Sequence, residues 1–454
     1  MTLSLDAVLA LSPDDASTKA ARGLLGPAKW PTLGAQGGAV WGECQGSGSK
    51  PYQTQVDLAG GAPAFRCSCP SRKFPCKHGL ALLMLQAQDA SRFRADAPPA
   101  WVLEWQTSRA DKAQKKQAQQ TRQREQLAAD PAPEALAAQQ AQAARRWRRI
   151  EAGCAELQRW LLDRLRQGLG NLTPAAAAEV ETLAARLVDA QAPGLANRLR
   201  EVAETLRAPD ATPARLLQQL GLLQLACDAV AQRAGLAPDP LADLRTLLGW
   251  PQDRAELLAL GTPLHDHWQV LGQITEEREG RLRERRVWLL GRQSGRRALL
   301  LDHAHGNAGF ELAWLNGAVL PAGLVFFAGA AGLRALALPD RDAASAPPAE
   351  LPPWPAHDAA REWQLLAERT AACPWLPLQP LLWSGARVLR EAESFWLQIE
   401  PARRLPLQLG DDDGWRLLAF GGGAPLQLMG EWDGRQLCPL SARCPEGLWY
   451  RSLT

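Results

Sequence analysis

The stretch FRCSCPSRKFPCKHGLALLML, residues 65–85, gathers three cysteines and a histidine into twelve positions of a chain otherwise poor in both. Cys67, Cys69, Cys76 and His78 follow the pattern C-x-C, six residues, C-x-H. Thiolate and imidazole are the donors that structural Zn2+ prefers, and a closed tetrahedral site takes four of them. Pro70, directly after Cys69, favours the turn that bends the first pair, while Cys76 and His78 stand at the entrance of an apolar helix, GLALLMLQA. Free N–H groups and the helix dipole stabilise a thiolate there. Phe65 and Phe74 are the apolar side chains available to cover the metal. A redox C-x-C pair explains neither Cys76 nor His78. An open catalytic zinc is disfavoured because all four ligands are protein side chains and no Glu stands nearby as a base. The expectation is one zinc per chain and no catalysis at the site.

Upstream, VWGECQGSGSKPYQTQVDLAG reads as a hairpin with Gln45–Ser49 as its turn and Tyr52, Thr54 and Val56 on one face. The cluster therefore lies on a strand-turn-helix path. Between Asp57 and Asp89 there is no acidic residue, while Arg66, Arg72, Lys73 and Lys77 surround the ligands. Part of that charge offsets the thiolate centre. Whether the remainder meets phosphates or is simply solvated stays open, since so small a finger has few side chains with which to read bases.

The arrangement resembles the SWIM zinc finger, whose motif is C-x-C, a variable gap, then C-x-H. The resemblance spans about residues 40–88: the hairpin CQGSGSKPYQTQVDL, the ligand knuckle, and FPCKHGLALLM. The resemblance implies Cys67, Cys69, Cys76 and His78 as ligands, and binding of DNA or protein as the role. Other members carry the finger beside helicase or transposase domains; this chain has no G-x-x-x-x-G-K-[ST] loop and no evident nuclease cluster. Bacterial members of this length are similar to companions of MoxR-type AAA+ ATPases and von Willebrand A proteins, which implies a protein partner of that kind.

The rest of the chain divides by composition. With 454 residues, 46% of them hydrophobic, roughly two to four domains are expected. A net charge of +3 is too weak for the whole molecule to act as a polycation. The start, MTLSLDAVLALSPDDAS, lacks a basic n-region, and the longest uncharged run, Leu312–Leu333, is broken by Asn316, Pro321 and glycines, so neither a secretory signal nor a membrane span is predicted. Nine cysteines in so long a chain suit a reduced compartment, and the predicted location is the cytoplasm.

Residues 1–106 are read as an N-terminal domain containing the finger. Residues 107–131 form a basic polar linker with six basic and two acidic residues between Arg109 and Glu125; a solvated spacer and a basic arm touching nucleic acid are both open. Residues 132–258 are helical, with Trp147, Ile150, Cys154, Leu157, Leu161 and Leu165 on one stripe and helix starts at Thr173-Pro174 and Thr212-Pro213. Cys154 and Cys227 read as small core residues. Residues 259–454 read as largely antiparallel β, with Asp413-Gly414 and Asp433-Gly434 as hairpin turns and Asp411-Asp412-Asp413 as part of a solvated turn. The predicted class is α+β in several regions. Two H-x-H pairs, His265/His267 and His303/His305, have the spacing of strand-end metal ligands, with ordinary strand-end histidines as the alternative. Cys438 and Cys444 have no histidine near them.

Two functions of different class follow: an interaction protein whose finger and scaffold bind a protein, and a nucleic-acid-binding protein that uses the basic finger and linker; an enzyme with an unrecognised site in the C-terminal half is a third alternative.

Overall fold

The computed structural model describes residues 5–452 except 10, 13–14, 47–49, 59–62, 72, 74, 95–96, 129–132, 172, 210–211, 279, 281, 307–309, 311–313, 315, 339–353, 356–357 and 446. The chain is mixed α+β.

Two short helices, α1 (Leu5–Leu9) and α2 (Asp15–Arg22), precede a four-stranded antiparallel meander of β1 (Thr32–Gln36), β2 (Ala39–Cys44), β3 (Tyr52–Asp57) and β4 (Ala64–Cys67). The helix after the cysteine cluster, α3 (Lys77–Gln88), is buried continuously from His78 to Gln86. Its sequence is apolar on every side, so it needs cover on every side. Strands β2 and β3 cover one side and α1 and α2 the other, and Leu80, Leu82, Leu83 and Leu85 fill the core between them. The sheet's opposite face is covered as well: Ala39 and Trp41 pack on Val102 of α4 (Ala100–Ala128). The basic stretch from Arg109 thus continues as helix, and Arg109 pairs with Asp57 of β3 at 3.0 Å.

Helices α5 (Pro133–Gln167), α6 (Ala177–Asp189), α7 (Pro193–Arg207), α8 (Pro213–Ala231) and α9 (Pro238–Leu247) build the middle of the chain around one core. The stripe from Trp147 to Leu161 is buried there together with Cys154 and Cys227, while Leu165, at its end, is exposed. Thr212 caps α8 by accepting from the Arg215 backbone N–H at 3.3 Å. After Thr173, a 3-10 turn over Pro174–Ala176 leads into α6.

Helix α10 (Arg254–Leu260) leads into a closed barrel of β5 (Leu264–Arg278), β6 (Leu282–Gly291), β7 (Arg297–His305), β8 (Val319–Phe326) and β9 (Arg334–Ala337), in the order β5-β6-β7-β9-β8. Only the β7–β9 pair is parallel among the described strands. Next come α11 (Ala359–Ala372) and a six-stranded antiparallel sheet from β10 (Gln379–Glu391), β11 (Ser394–Glu400), β12 (Arg403–Pro406), β13 (Leu426–Trp432), β14 (Leu437–Cys444) and β15 (Gly447–Tyr450), with α12 (Asp411–Gly421) inserted before β13. Barrel and sheet share a core in which Leu271, Trp288 and Leu290 meet Leu382, Met429 and Leu440.

One turn expectation is corrected here. Asp411, Asp412 and Asp413 form the first turn of α12, not a hairpin turn, because carboxylates favour the positive end of a helix dipole. Gly414 is buried in that helix, where a Cβ would stand 2.2 Å from the Phe395 ring. Asp433-Gly434 does form a turn, with Asp433 Oδ1 accepting from the Arg435 and Gln436 N–H groups at 2.7 Å.

Candidate metal centre

Cys67 ends β4, where it stands opposite Thr54 of β3. The Thr54 hydroxyl lies 3.2 Å from its sulfur. One residue on, the Ser68 N–H donates to the Gln53 carbonyl and the Gln53 N–H to the Ser68 hydroxyl, both at 3.0 Å. The ladder is thereby carried one residue past Cys67 before the chain bends at Pro70. Lys73 N–H donates to the Ser71 hydroxyl at 3.2 Å within that bend. Cys76 is the N-cap residue of α3 in extended conformation, and its sulfur makes no capping bond to the helix. It remains directed to the cluster, while the Cys76 carbonyl starts the helix by accepting from the Leu80 N–H at 3.1 Å.

His78 follows in the first turn, with its ring 4.9 Å from that of Tyr52. Gly79 lets the Phe65 ring rest against the helix: a Cβ there would come within 2.8 Å of it. Phe65 thus packs on the first turn of α3 beside His78; Phe74 and Arg72 lie outside the described residues.

The four ligand atoms of Cys67, Cys69, Cys76 and His78 lie within 4.8 Å of one another. Cys67 Sγ and His78 Nδ1 are 3.8 Å apart, close to the edge of a zinc tetrahedron, which is roughly 3.6 Å for bond lengths of about 2.3 and 2.05 Å. Cys76 and His78 are buried, and Cys67 and Cys69 half-buried. Negative charge gathers at the centre of the group. Hydrogen bonds from Cys67 and Cys76 hold the Cys69 thiol well below the usual range against its burial, and Cys67 goes up correspondingly. Burial pushes the His78 imidazole down, but the bonds and charge of Cys69 and Cys76 bring it up to about 9. A thiolate centre facing an imidazole is the donor set that a dication takes up, releasing the protons. The residues fit zinc.

The second coordination layer was not foreseen from the sequence: the Thr54 hydroxyl on Cys67 and the Tyr52 ring on His78 follow from the β3–β4 register. Lys77, at the first helical position, has the wrong sign for the helix dipole, which the thiolates offset. Arg66, Lys73 and Lys77 are exposed around the knuckle.

The structure does not bring the H-x-H pairs together. His265 and His267 are exposed at the start of β5, near Gly291 of β6, whereas His303 and His305 are exposed at the end of β7, opposite Glu284 and Leu282 at the other end of β6. A ten-residue strand separates them, about 30 Å. His303 Nε2 lies 3.4 Å from Glu284. Among the described residues, Cys67, Cys69, Cys76 and His78 are the one group of metal-ligating side chains so clustered.

Residues 52–86 match the family model of the SWIM zinc finger, and residues 145–248 match that of the SWIM-associated four-helix bundle domain. No curated protein and no solved structure matches the chain. The knuckle is thus a SWIM zinc finger binding one zinc ion, followed by its associated bundle. No helix among the described residues is long and apolar enough to cross a membrane.

Proposed function

We propose that this zinc-finger protein is a non-catalytic, cytoplasmic interaction protein whose finger stiffens a docking surface for a protein partner. The observation that carries the reading is the closed donor set: four protein side chains surround one centre, leaving no position for a reacting water. The metal's work is then structural. It stiffens a knuckle whose own cover is slight and fixes β4 to α3. An AAA+ ATPase or a von Willebrand A protein is the partner class that resemblance implies.

A second reading, nucleic-acid binding, is favoured by the exposed Arg66, Lys73 and Lys77 in a segment without carboxylates. It is the weaker one, because the linker's Arg109 is engaged with Asp57 and part of the finger's charge is offset by thiolates.

Two titrations of the zinc-loaded protein separate the readings. Association with a purified MoxR-type ATPase is expected to be lost in Cys76→Ser and to change little with salt. DNA binding is expected to be weak and sequence-independent, falling steeply with salt. Tight, sequence-selective DNA binding at physiological salt, abolished by Arg66→Glu/Lys77→Glu, would put the second reading first.

A further inference from the structure

The bundle carries a basic cleft that the finger does not explain. Its floor is built where two helix ends meet. Helix α6 stops with Gln191 in left-handed conformation at φ 64°. Its N–H donates to the Val188 carbonyl and that of Ala192 to Leu187, both at 2.9 Å. Helix α9 stops in the same way around Gly249, with Gly249 N–H to Thr246 at 3.0 Å and Trp250 N–H to Arg245 at 2.8 Å. These are two Schellman ends. The start of α7, which follows the first of them directly, approaches the end of α9 so closely that a Cβ on Gly194 would stand 1.9 Å from the Leu247 carbonyl. Arg146 of α5 locks them together by donating to the Gln191 and Gly249 carbonyls at 3.2 and 3.1 Å.

Above that floor lies a cleft of about 870 Å3 whose lining includes Arg145, Arg149, Arg245 and Trp250, and no carboxylate. Arg145, Arg149 and Arg245 are exposed and make no ion pair among the described residues. Three like charges set side by side without counter-charge disfavour one another, so the arrangement is relieved by an anionic ligand. The Trp250 ring does not offer itself to a base. Arg146 lies 4.3 Å and Arg245 5.5 Å from its centre, and Trp147 packs on it at 5.1 Å. Single-stranded nucleic acid uses free aromatic faces for stacking, and none is free here. The exposed glutamines Gln139, Gln140 and Gln142 of α5 complete the wall with amides suited to the carbonyls and N–H groups of an extended backbone.

We propose that this cleft is a second binding site, taking an acidic peptide segment of a partner protein, with the guanidinium groups of Arg145, Arg149 and Arg245 receiving its carboxylates. Guanidinium–carboxylate forks supply the specificity. Gln191 lies on the same lining, its backbone carbonyl held by Arg146 at 3.2 Å. The site stands independently of the finger.

The test uses the full zinc-loaded chain and two labelled probes followed by anisotropy, hexaglutamate and oligo-dT of equal charge. Hexaglutamate is expected to bind, more weakly as salt rises. Arg149→Glu/Arg245→Glu should weaken it about tenfold or more, and Arg149→Gln/Arg245→Gln by less, with thermal melting unchanged because both side chains are exposed. Arg66→Glu/Lys77→Glu on the finger should leave it unaltered. No hexaglutamate binding, binding indifferent to the cleft variants, or oligo-dT binding more tightly and losing affinity in them would each overturn the proposal, the last by making the cleft a nucleic-acid site.

Discussion

The finger and the barrel–sheet unit solve the same problem with opposite means. The finger closes around ligands spaced over twelve positions, and the metal supplies what its small cover does not. In the barrel–sheet unit, the decisive polar contacts join residues far apart in the chain. Arg286 of β6 donates to both carboxylate oxygens of Glu431 in β13, at 2.8 and 2.9 Å across 145 positions. It also donates to Glu276 at 2.7 and 3.0 Å. Arg297 of β7 reaches Glu362 of α11 at 2.6 Å and the Pro380 carbonyl at 2.8 Å. Buried pairs of this kind add little net stability over apolar packing, but they penalise every arrangement in which one partner is left alone. Local closure by a metal concentrates stability at one point, while distributed pairs fix how two sheets sit together.

The largest effect should come from breaking the local side. Cys76→Ser removes one ligand from a set of four, and structural zinc in finger peptides is worth about 10–16 kcal/mol of apparent free energy near neutral pH. Elemental analysis should find the bound zinc lost, and hydrogen exchange should show the knuckle from Cys67 to His78 opened. The bundle, with its own core, and the barrel–sheet unit should retain their protection. Zinc retained in Cys76→Ser and in His78→Ala would remove the metal centre assigned here.

That contrast also accounts for what could be read in advance. The ligand set, the hairpin before it and the helix after it were legible because each signal lies within a few residues. The helical stripe from Trp147 to Leu161 was legible for the same reason, its period being local. Glu431 and Glu362 carry no local mark: each is a single carboxylate whose partner is chosen by tertiary packing. The arginines flanking Trp147 carry no local mark of a cleft, which depends on the end of α9, about a hundred positions later, and on which arginine turns inward. Asp411–Asp413 misled because acidic residues before glycine suit a turn and a helix start equally well.

The second effect tests the distributed side. Glu431→Ala leaves Arg286, 5% exposed, with Glu276 and Glu284 as carboxylate partners. It also deprives Trp288 Nε1 of its acceptor at 2.8 Å. Leaving a buried charge uncompensated costs about 3–5 kcal/mol; the retained Glu276 and Glu284 hold the expected loss to the lower end of that range, which chemical denaturation should record as loss of the barrel–sheet transition at lower denaturant. Zinc content should stay at one per chain. Zinc loss in this variant would show that the two regions are not separable.

The smallest effect concerns a residue hidden between two more conspicuous ones. The alternation that turns His265 and His267 outward turns Asp266 inward, where it is 5% exposed. Its carboxylate accepts from the N–H groups of His267 at 2.6 Å, Gln293 at 3.0 Å and Ser294 at 2.8 Å, and from the Ser294 hydroxyl at 2.6 Å. It thereby clamps the β6–β7 turn to the first strand of the barrel. Burial pushes the carboxyl up, but the Ser294 hydroxyl and the three N–H donors outweigh it and hold it below its ordinary value. A carboxyl lowered by folding contributes stability above its unfolded value and loses it as pH falls through the folded one. The clamp should therefore persist through mildly acidic pH and fail only below the ordinary carboxyl range, near pH 3.9. Asp266→Asn keeps the shape but trades an anionic acceptor for a neutral one and sets an amide NH2 against at least one backbone N–H donor, an expected loss of about 1–3 kcal/mol. Because the variant has no carboxyl to titrate, the difference between it and the parent chain should be constant from neutral to mildly acidic pH and shrink below. A difference that shrinks already between pH 6 and 5 would mean that a group other than Asp266 sets the local stability.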